Sequence, residues 1–238
     1  MTQSAHAAVR AVCFDLDGTL INSLPELYEG ARLAALELDL PDPGEKRVGD
    51  MIGAGVRVLA QRLCRWWREA APEADPARID PESVLKLLVE KWESLDGSRI
   101  AAIPGAFEGI AALHAAGFRT ALVTNKVRTL TLELLEAHGW TPLFDAVVTG
   151  SDCNRLKPYP DLLELALAKL GVAPREAVMV GDSRNDALAA QAAGVRACLV
   201  KSGYNEGVPL AEWAASAGFS EVYSDAGAVC RHLLEEKR

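Results

Sequence analysis

Asp15 and Asp17 lie two residues apart in Phe14-Asp15-Leu16-Asp17-Gly18-Thr19-Leu20, directly after an apolar run that includes Val9, Val12, Cys13 and Phe14. In an extended strand, residues i and i+2 point to the same side. The two carboxylates therefore converge unless the chain breaks between them, at the point where the strand leaves its sheet. Converging carboxylates repel and call for a cation, a shared proton or an electron-poor substrate. This combination reads as a phosphoryl-transfer site.

Further candidates are scattered along the chain: Thr124-Asn125, Lys157, and Gly181-Asp182-Ser183 with Asp186 four residues after Asp182. Asp15, Asp17 and Asp182 have no histidine partner, and such hard oxygen ligands favour Mg²⁺ over zinc or copper. Magnesium keeps several waters and is commonly completed by a phosphate oxygen. The Thr124 hydroxyl and Asn125 amide can donate to phosphate oxygens, and Lys157 supplies a compact positive charge. One aspartate can attack phosphorus and form an aspartyl-phosphate. A second can protonate the departing alcohol and then activate water, provided that neighbouring negative charge keeps it protonated near neutral pH. Asp182 and Asp186 at i, i+4 also suit a helix start, where a carboxylate caps the first turn.

These residues need a scaffold that gathers them. Residues 9–15 are apolar nearly throughout, as in a parallel strand covered on both faces. From about Pro25 to Trp92 the apolar residues fall at helical spacing (Leu27, Ala31, Ala34, Leu38; Val56, Leu59, Ala60, Leu63; Leu85, Leu88, Val89, Trp92), broken by proline-rich loops, with no convincing strand. From Pro104 strands and helices alternate. Strands are predicted at 118–124, 144–149, 177–180 and 195–200 and near 221–223. Helices are predicted at 106–116, 127–138, 160–170, 186–193 and 226–236, with Gly117, Gly139, Gly171 and Gly194 ending the first four. Repeated βα units predict a doubly wound parallel sheet with right-handed crossovers. Ligands of such sheets bind outside the carboxyl ends of the strands, which is where all the candidates fall.

The 238 residues allow one large domain or a core with an inserted smaller one. Net charge is −8, from 25 basic and 33 acidic residues, without a dense Lys/Arg cluster, so nucleic acid and anionic membrane surfaces are poor partners. Five cysteines with no C-x-x-C pair argue against a disulfide framework or a zinc ribbon. Met1 to Ala8 lack the pattern of a signal peptide, and no segment approaches the roughly 20 apolar residues of a membrane span. A cytoplasmic location is the simplest expectation.

Asp15-Leu16-Asp17-Gly18-Thr19, Thr124, Lys157-Pro158 and Gly181-Asp182-Ser183-Arg184-Asn185-Asp186 resemble the four ordered motifs of the haloacid dehalogenase superfamily. The resemblance implies a Rossmann-like α/β core over residues 1–21 and 101–238, with an α-helical cap inserted over residues 22–100. It implies Asp15 as nucleophile and Asp17 as general acid/base. Asp15, the Asp17 backbone carbonyl and Asp182 would hold Mg²⁺. Thr124 and Lys157 would bind the phosphoryl group, with Gly18 and Asn125 beside them, and Asp186 would support the metal and Lys157. Because the founding dehalogenases lack the second aspartate, Asp17 points to a phosphatase. Thr124-Asn125-Lys126, Gly203-Tyr204-Asn205 with Gly207, and Met51-Ile52-Gly53-Ala54-Gly55 are similar to bacterial phosphoglycolate phosphatases. Relatives with this cap often carry Asp-Ser or Asp-Thr where this chain has Asn22-Ser23.

The expected activity is therefore Mg²⁺-dependent hydrolysis of a small phosphorylated metabolite, 2-phosphoglycolate by resemblance, in a monomer or homodimer. The rivals are a sugar or amino-sugar phosphate as substrate, a phosphomutase, and a receiver-like phospho-acceptor module. Trp66-Trp67 reads as packing, Arg57 as a solvated helix residue and Cys13 as a small strand residue, and the four histidines carry no role.

Overall fold

The computed structural model describes residues 8–237. The reading of Met1 to Ala8 falls almost wholly outside them. Eight strands form two sheets among the described residues. Six are parallel: β1 (Ala11–Phe14), β4 (Arg119–Val123), β5 (Ala146–Val148), β6 (Ala177–Gly181), β7 (Arg196–Val200) and β8 (Val222–Tyr223), in the order β5-β4-β1-β6-β7-β8.

Alternate residues of the central strands feed two separate cores, as a period of two requires. Val12, Phe14, Leu122, Val178 and Val180 pack on one face with Ile110 and Leu113 of α5 (Ala106–Ala115) and Val229 and Leu233 of α10 (Ala226–Glu236). Ala11, Cys13, Ala121, Val123 and Met179 pack on the other with Leu162, Leu163, Ala166 and Leu167 of α7 (Asp161–Leu170) and Ala190 of α8 (Arg184–Ala193). Covering on both faces is the reason these strands read as unbroken apolar runs.

Strand β1 is flanked by β4 and β6, with Phe14 opposite both Leu122 and Val180. Asp15, Thr124 and Asp182 thus emerge at one rim, where the chain switches from building one side of β1 to building the other. Crevices at such switch points bind ligands.

Four helices depart from the sheet after β1: α1 (Leu24–Glu37), α2 (Glu45–Met51), α3 (Val56–Ala70) and α4 (Pro81–Glu93). They enclose a hydrophobic cluster of their own, with Ala31, Leu63, Trp67 and Leu88 fully buried. The Trp67 indole donates to the Pro41 carbonyl at 2.9 Å, so this aromatic is packing, as expected. Arg57 pairs with Glu82 on the exposed face. The chain leaves and re-enters the core through a short antiparallel pair, β2 (Ile21–Asn22) with β3 (Ala101–Ala102).

The helices and strands between 104 and 200 follow the periodicity, and the four glycines after α5, α6 (Arg128–Ala137), α7 and α8 adopt left-handed backbone. Three features depart from it. The β2–β3 pair was not expected, because two residues on each side are too short to show a period. Helix α9 (Leu210–Ala217) was not expected, since only Leu210 and Ala214 are buried in it. Helix α8 starts at Arg184 rather than 186, because the Asp186 carboxylate reaches back to accept from the Ser183 N–H and so caps the first turn.

Candidate active site

Asp15 follows the last residue of β1, and its backbone N–H donates to the Val180 carbonyl at 2.9 Å, anchoring the strand end between its neighbours. The Lys157 ammonium lies 2.8 Å from Asp15 Oδ1 and 2.6 Å from Asp186 Oδ1, and donates to the Val123 carbonyl at 2.8 Å. Its three protons are matched by three acceptors in a buried setting. The Lys157–Pro158 bond is cis.

The sequence reading assigns Asn125 to phosphate, but the structure gives it another partner. Its Oδ1 accepts from the Lys157 N–H at 2.9 Å and its Nδ2 donates to the Lys157 carbonyl at 3.0 Å. The amide is a brace for the Lys157 backbone. Gly18 also departs from the phosphate-binding expectation: its N–H donates to the Ile21 carbonyl at 2.8 Å. With φ +85° and the Gly203 Cα only 2.9 Å from where a Cβ would stand, glycine is required there so that the turn can press against Asp182.

Asp182 accepts from the Thr19 hydroxyl at 3.0 Å and the Tyr204 N–H at 2.5 Å, and has no cationic partner among the described residues. One oxygen each from Asp15, Asp182 and Asp186 lies within 4.8 Å of the others. Asp186 has both oxygens engaged, Oδ1 by Lys157 and Oδ2 by the Ser183 N–H (3.1 Å) and hydroxyl (2.6 Å). It holds Lys157 and caps α8. Asp15 has only Oδ1 engaged by Lys157, and each Asp182 oxygen accepts a single hydrogen bond from an uncharged donor, so both retain lone pairs for a divalent cation, and this hard donor set fits magnesium.

Burial is the main cause lifting the Asp15 carboxyl to about 7; Lys157 opposes it, while Asp186 and Asp17 add repulsion. Burial, then Asp186 and Asp15, also hold the Asp182 carboxyl well above the usual range. Burial alone would lower Lys157, but Asp15 and Asp186 outweigh it and keep the amine protonated. Carboxyls whose folded pKa exceeds the unfolded one stabilise the fold when protonated. In chelator this stability is fully present below pH ~4 and is lost as pH rises through about 7. The denaturant midpoint is therefore expected to fall between pH 5 and 8 without metal, with a smaller fall in Asp182→Asn. A midpoint that rises over this range contradicts the assignment.

Asp17 lies across the turn from Asp15. Its carboxylate is paired with Lys126 of the β4–α6 connection, at 3.1 and 3.5 Å. Thr124 is buried and accepts from the Lys126 N–H at 3.1 Å. Asp15, Asp17, Thr124, Asn125, Lys126, Asp182 and Ser183 line one cavity of ≈ 70 Å³. Its opposite wall is apolar and comes largely from the helical insert: Leu27, Ile52, Val56, Leu59 and Trp92. Lys126, Thr19 and Ser183 had no assigned role in the sequence reading, though each directly adjoins a residue that had one.

Among the described residues, polar contacts tie the insert to the core around Tyr204 and around Glu206. Asn22 Oδ1 accepts from the Tyr204 hydroxyl, and the Leu24 N–H donates to Tyr204 Oη at 3.2 Å. The amide at 22 thus serves as an acceptor at the junction. Glu206 pairs with Arg62 of α3 at 3.1 Å and with Arg184, while Asn185 Nδ2 donates to the Gly53 carbonyl at 3.1 Å. These contacts bring the Gly53–Gly55 turn to the cavity mouth. Cys13 is buried, and burial pushes its thiol up to about 12, which leaves it unreactive.

The model of the haloacid dehalogenase-like hydrolases matches residues 9–194. The chain belongs to this family. Within it, the chain is 36% identical over 215 residues to the phosphoglycolate phosphatase of Salmonella typhimurium, covering 85% of each chain. The crystal structure of a protein described as a predicted phosphoglycolate phosphatase from Haemophilus somnus superposes with TM-score 0.86 at 29% identity, over 97% of this chain and 98% of that one. CbbY from Rhodobacter sphaeroides, solved in complex with phosphate, superposes with TM-score 0.76 at 25% identity, over 92% and 95%. The chain is a phosphoric monoester hydrolase of the haloacid dehalogenase type.

Proposed function

We propose that this chain hydrolyses 2-phosphoglycolate to glycolate and phosphate through an aspartyl-phosphate on Asp15, with Mg²⁺ as cofactor. The observation that carries the reading is the setting of Asp15: a carboxylate at the sheet's switch point, held by Lys157 and lining one small cavity together with Asp17.

An Asp15 oxygen attacks phosphorus while the bond to the leaving oxygen breaks, and Asp17 donates its proton to that oxygen. Asp17, now a carboxylate, takes a proton from water, whose oxygen attacks phosphorus and releases Asp15 and phosphate. The Thr124 hydroxyl would donate to a phosphoryl oxygen, and Lys157, its protons committed to Asp15, Asp186 and the Val123 carbonyl, would offset phosphoryl charge from beside Asp15. Asp15, Asp182 and the Asp17 carbonyl would hold Mg²⁺, which when bound neutralises the remaining anionic charge. Residues 22–100 act as the cap of a core made from 1–21 and 101–238, and cap closure excludes water from the cavity. The apolar walls and small volume support a small leaving group, as do relatives named phosphoglycolate phosphatase.

A phosphate-release screen over small phosphate esters, with Mg²⁺ and with chelator, tests this reading. The expected result is Mg²⁺-dependent release with 2-phosphoglycolate well above sugar and amino-sugar phosphates. Equal rates across the panel would remove the substrate assignment. Transfer of the phosphoryl group between sugar positions without release would instead identify a mutase.

A further inference from the structure

We infer that Lys126 is the specificity residue for an anionic leaving group: its ammonium receives a substrate carboxylate carried next to the ester oxygen. The inference rests on the phosphatase reading above and assigns the group that selects its substrate.

Two cationic side chains stand near the reacting carboxylates, and they are not equivalent. Lys157 has all three protons committed to Asp15, Asp186 and the Val123 carbonyl, on the phosphoryl side. Lys126 makes its ion pair with Asp17 alone, at 3.1 Å, and its side chain is 11% exposed. Its backbone is fixed from both sides, the N–H donating to Thr124 Oγ1 at 3.1 Å and the carbonyl accepting from the Gly150 N–H at 2.9 Å. Among the described residues lining the cavity, Lys126 carries the only positive charge.

A general acid must lie within hydrogen-bond reach of the oxygen it protonates, about 2.6–3.2 Å. If Asp17 is that acid, the leaving oxygen sits against Asp17, and so beside the Lys126 ammonium. A carboxylate on the adjoining carbon then lies within reach of Nζ. The helical insert faces this point mainly with hydrocarbon from Leu27, Ile52, Val56, Leu59 and Trp92, which offers a carboxylate no cationic partner. An uncharged leaving group gains nothing from Lys126, which stays on Asp17. The site therefore selects small phosphate esters whose alcohol carries a carboxylate.

The test compares 2-phosphoglycolate with 2-hydroxyethyl phosphate, an ester of similar size without the charge, in wild type, Lys126→Met and Lys126→Arg. Wild type is expected to prefer the carboxylated ester by about ten- to hundredfold in kcat/KM, the scale of one charge-assisted hydrogen bond. Lys126→Met lowers kcat for both esters by a common factor, because Asp17 loses its partner. In addition it raises KM for 2-phosphoglycolate alone and removes most of the preference. Lys126→Arg retains most of it. A wild type that hydrolyses both esters without preference overturns the inference and leaves the phosphatase reading standing. So does a Lys126→Met enzyme that slows both equally while keeping the preference. Hydrolysis of neither ester, nor of any other in the screen, overturns both readings. If Lys126→Met does not fold, the wild-type and arginine measurements decide.

Discussion

Asp15→Asn is expected to lower phosphate release by roughly 10⁴-fold or more, a scale typical of removing a nucleophile from a site whose parts act as a unit. The amide matches the carboxylate in shape but lacks the electron pair and charge that attack phosphorus. The fold should survive. Asp15 contributes to the sheet through its backbone N–H, which the substitution keeps, and its side chain is one member of a mutually repelling acidic group. Losing that charge leaves Lys157 with Asp186 as partner, so no buried cation is stranded. The decisive measurement is single-turnover phosphate release with Mg²⁺, alongside a thermal melt of the same sample. Loss of turnover in a protein that melts normally supports covalent catalysis. Ordinary turnover by Asp15→Asn would mean that another group attacks phosphorus.

The second large effect concerns Lys157. Lys157→Met is expected to destabilise the metal-free protein at pH 8 by about 3–5 kcal/mol, the range for breaking a buried ion pair by removing one partner. The lysine is buried with Asp15 and Asp186 on either side, and methionine fills its stem but supplies none of the three hydrogen bonds. Both carboxylates then face each other uncompensated in a site where burial already raises the Asp15 pKa. The penalty has a direction in pH. Protonating Asp15 at pH 5 removes the repulsion, so the gap between variant and wild type should narrow there. Denaturant unfolding in chelator at the two pH values measures it, and Mg²⁺ should recover part of the loss at pH 8. Turnover should fall as well, because Asp15 loses the cation that holds it. A gap that is equal at both pH values would show that lost packing, not charge, dominates.

The doubly wound core was legible because its signals are local and repeated. Unbroken apolar runs mark strands covered on both faces, and glycine ends the helices between them. The candidate residues were legible for a related reason: in such a sheet any polar residue just past a strand's carboxyl end must reach the same rim. Asp15, Thr124 and Asp182 meet there because β1 is flanked by β4 and β6 in register. The β2–β3 junction and α9 were not legible, since the pair joins only two residues a side outside the apolar runs and α9 buries only Leu210 and Ala214.

By itself the sequence determined which side chains could do the chemistry, the sheet that collects them, and the insertion that covers them. Residue type and strand ends are properties of short stretches, and they can be read without knowing what lies opposite. Only the tertiary structure decided how those side chains divide the work. Asn125 could equally have faced a phosphate, but it braces the Lys157 backbone across 32 positions of chain. Asp17 and Lys126 are separated by 109 positions and meet because their strands are neighbours. Hydrogen-bond partners are set by distances between remote segments, and periodicity along the chain carries no information about them.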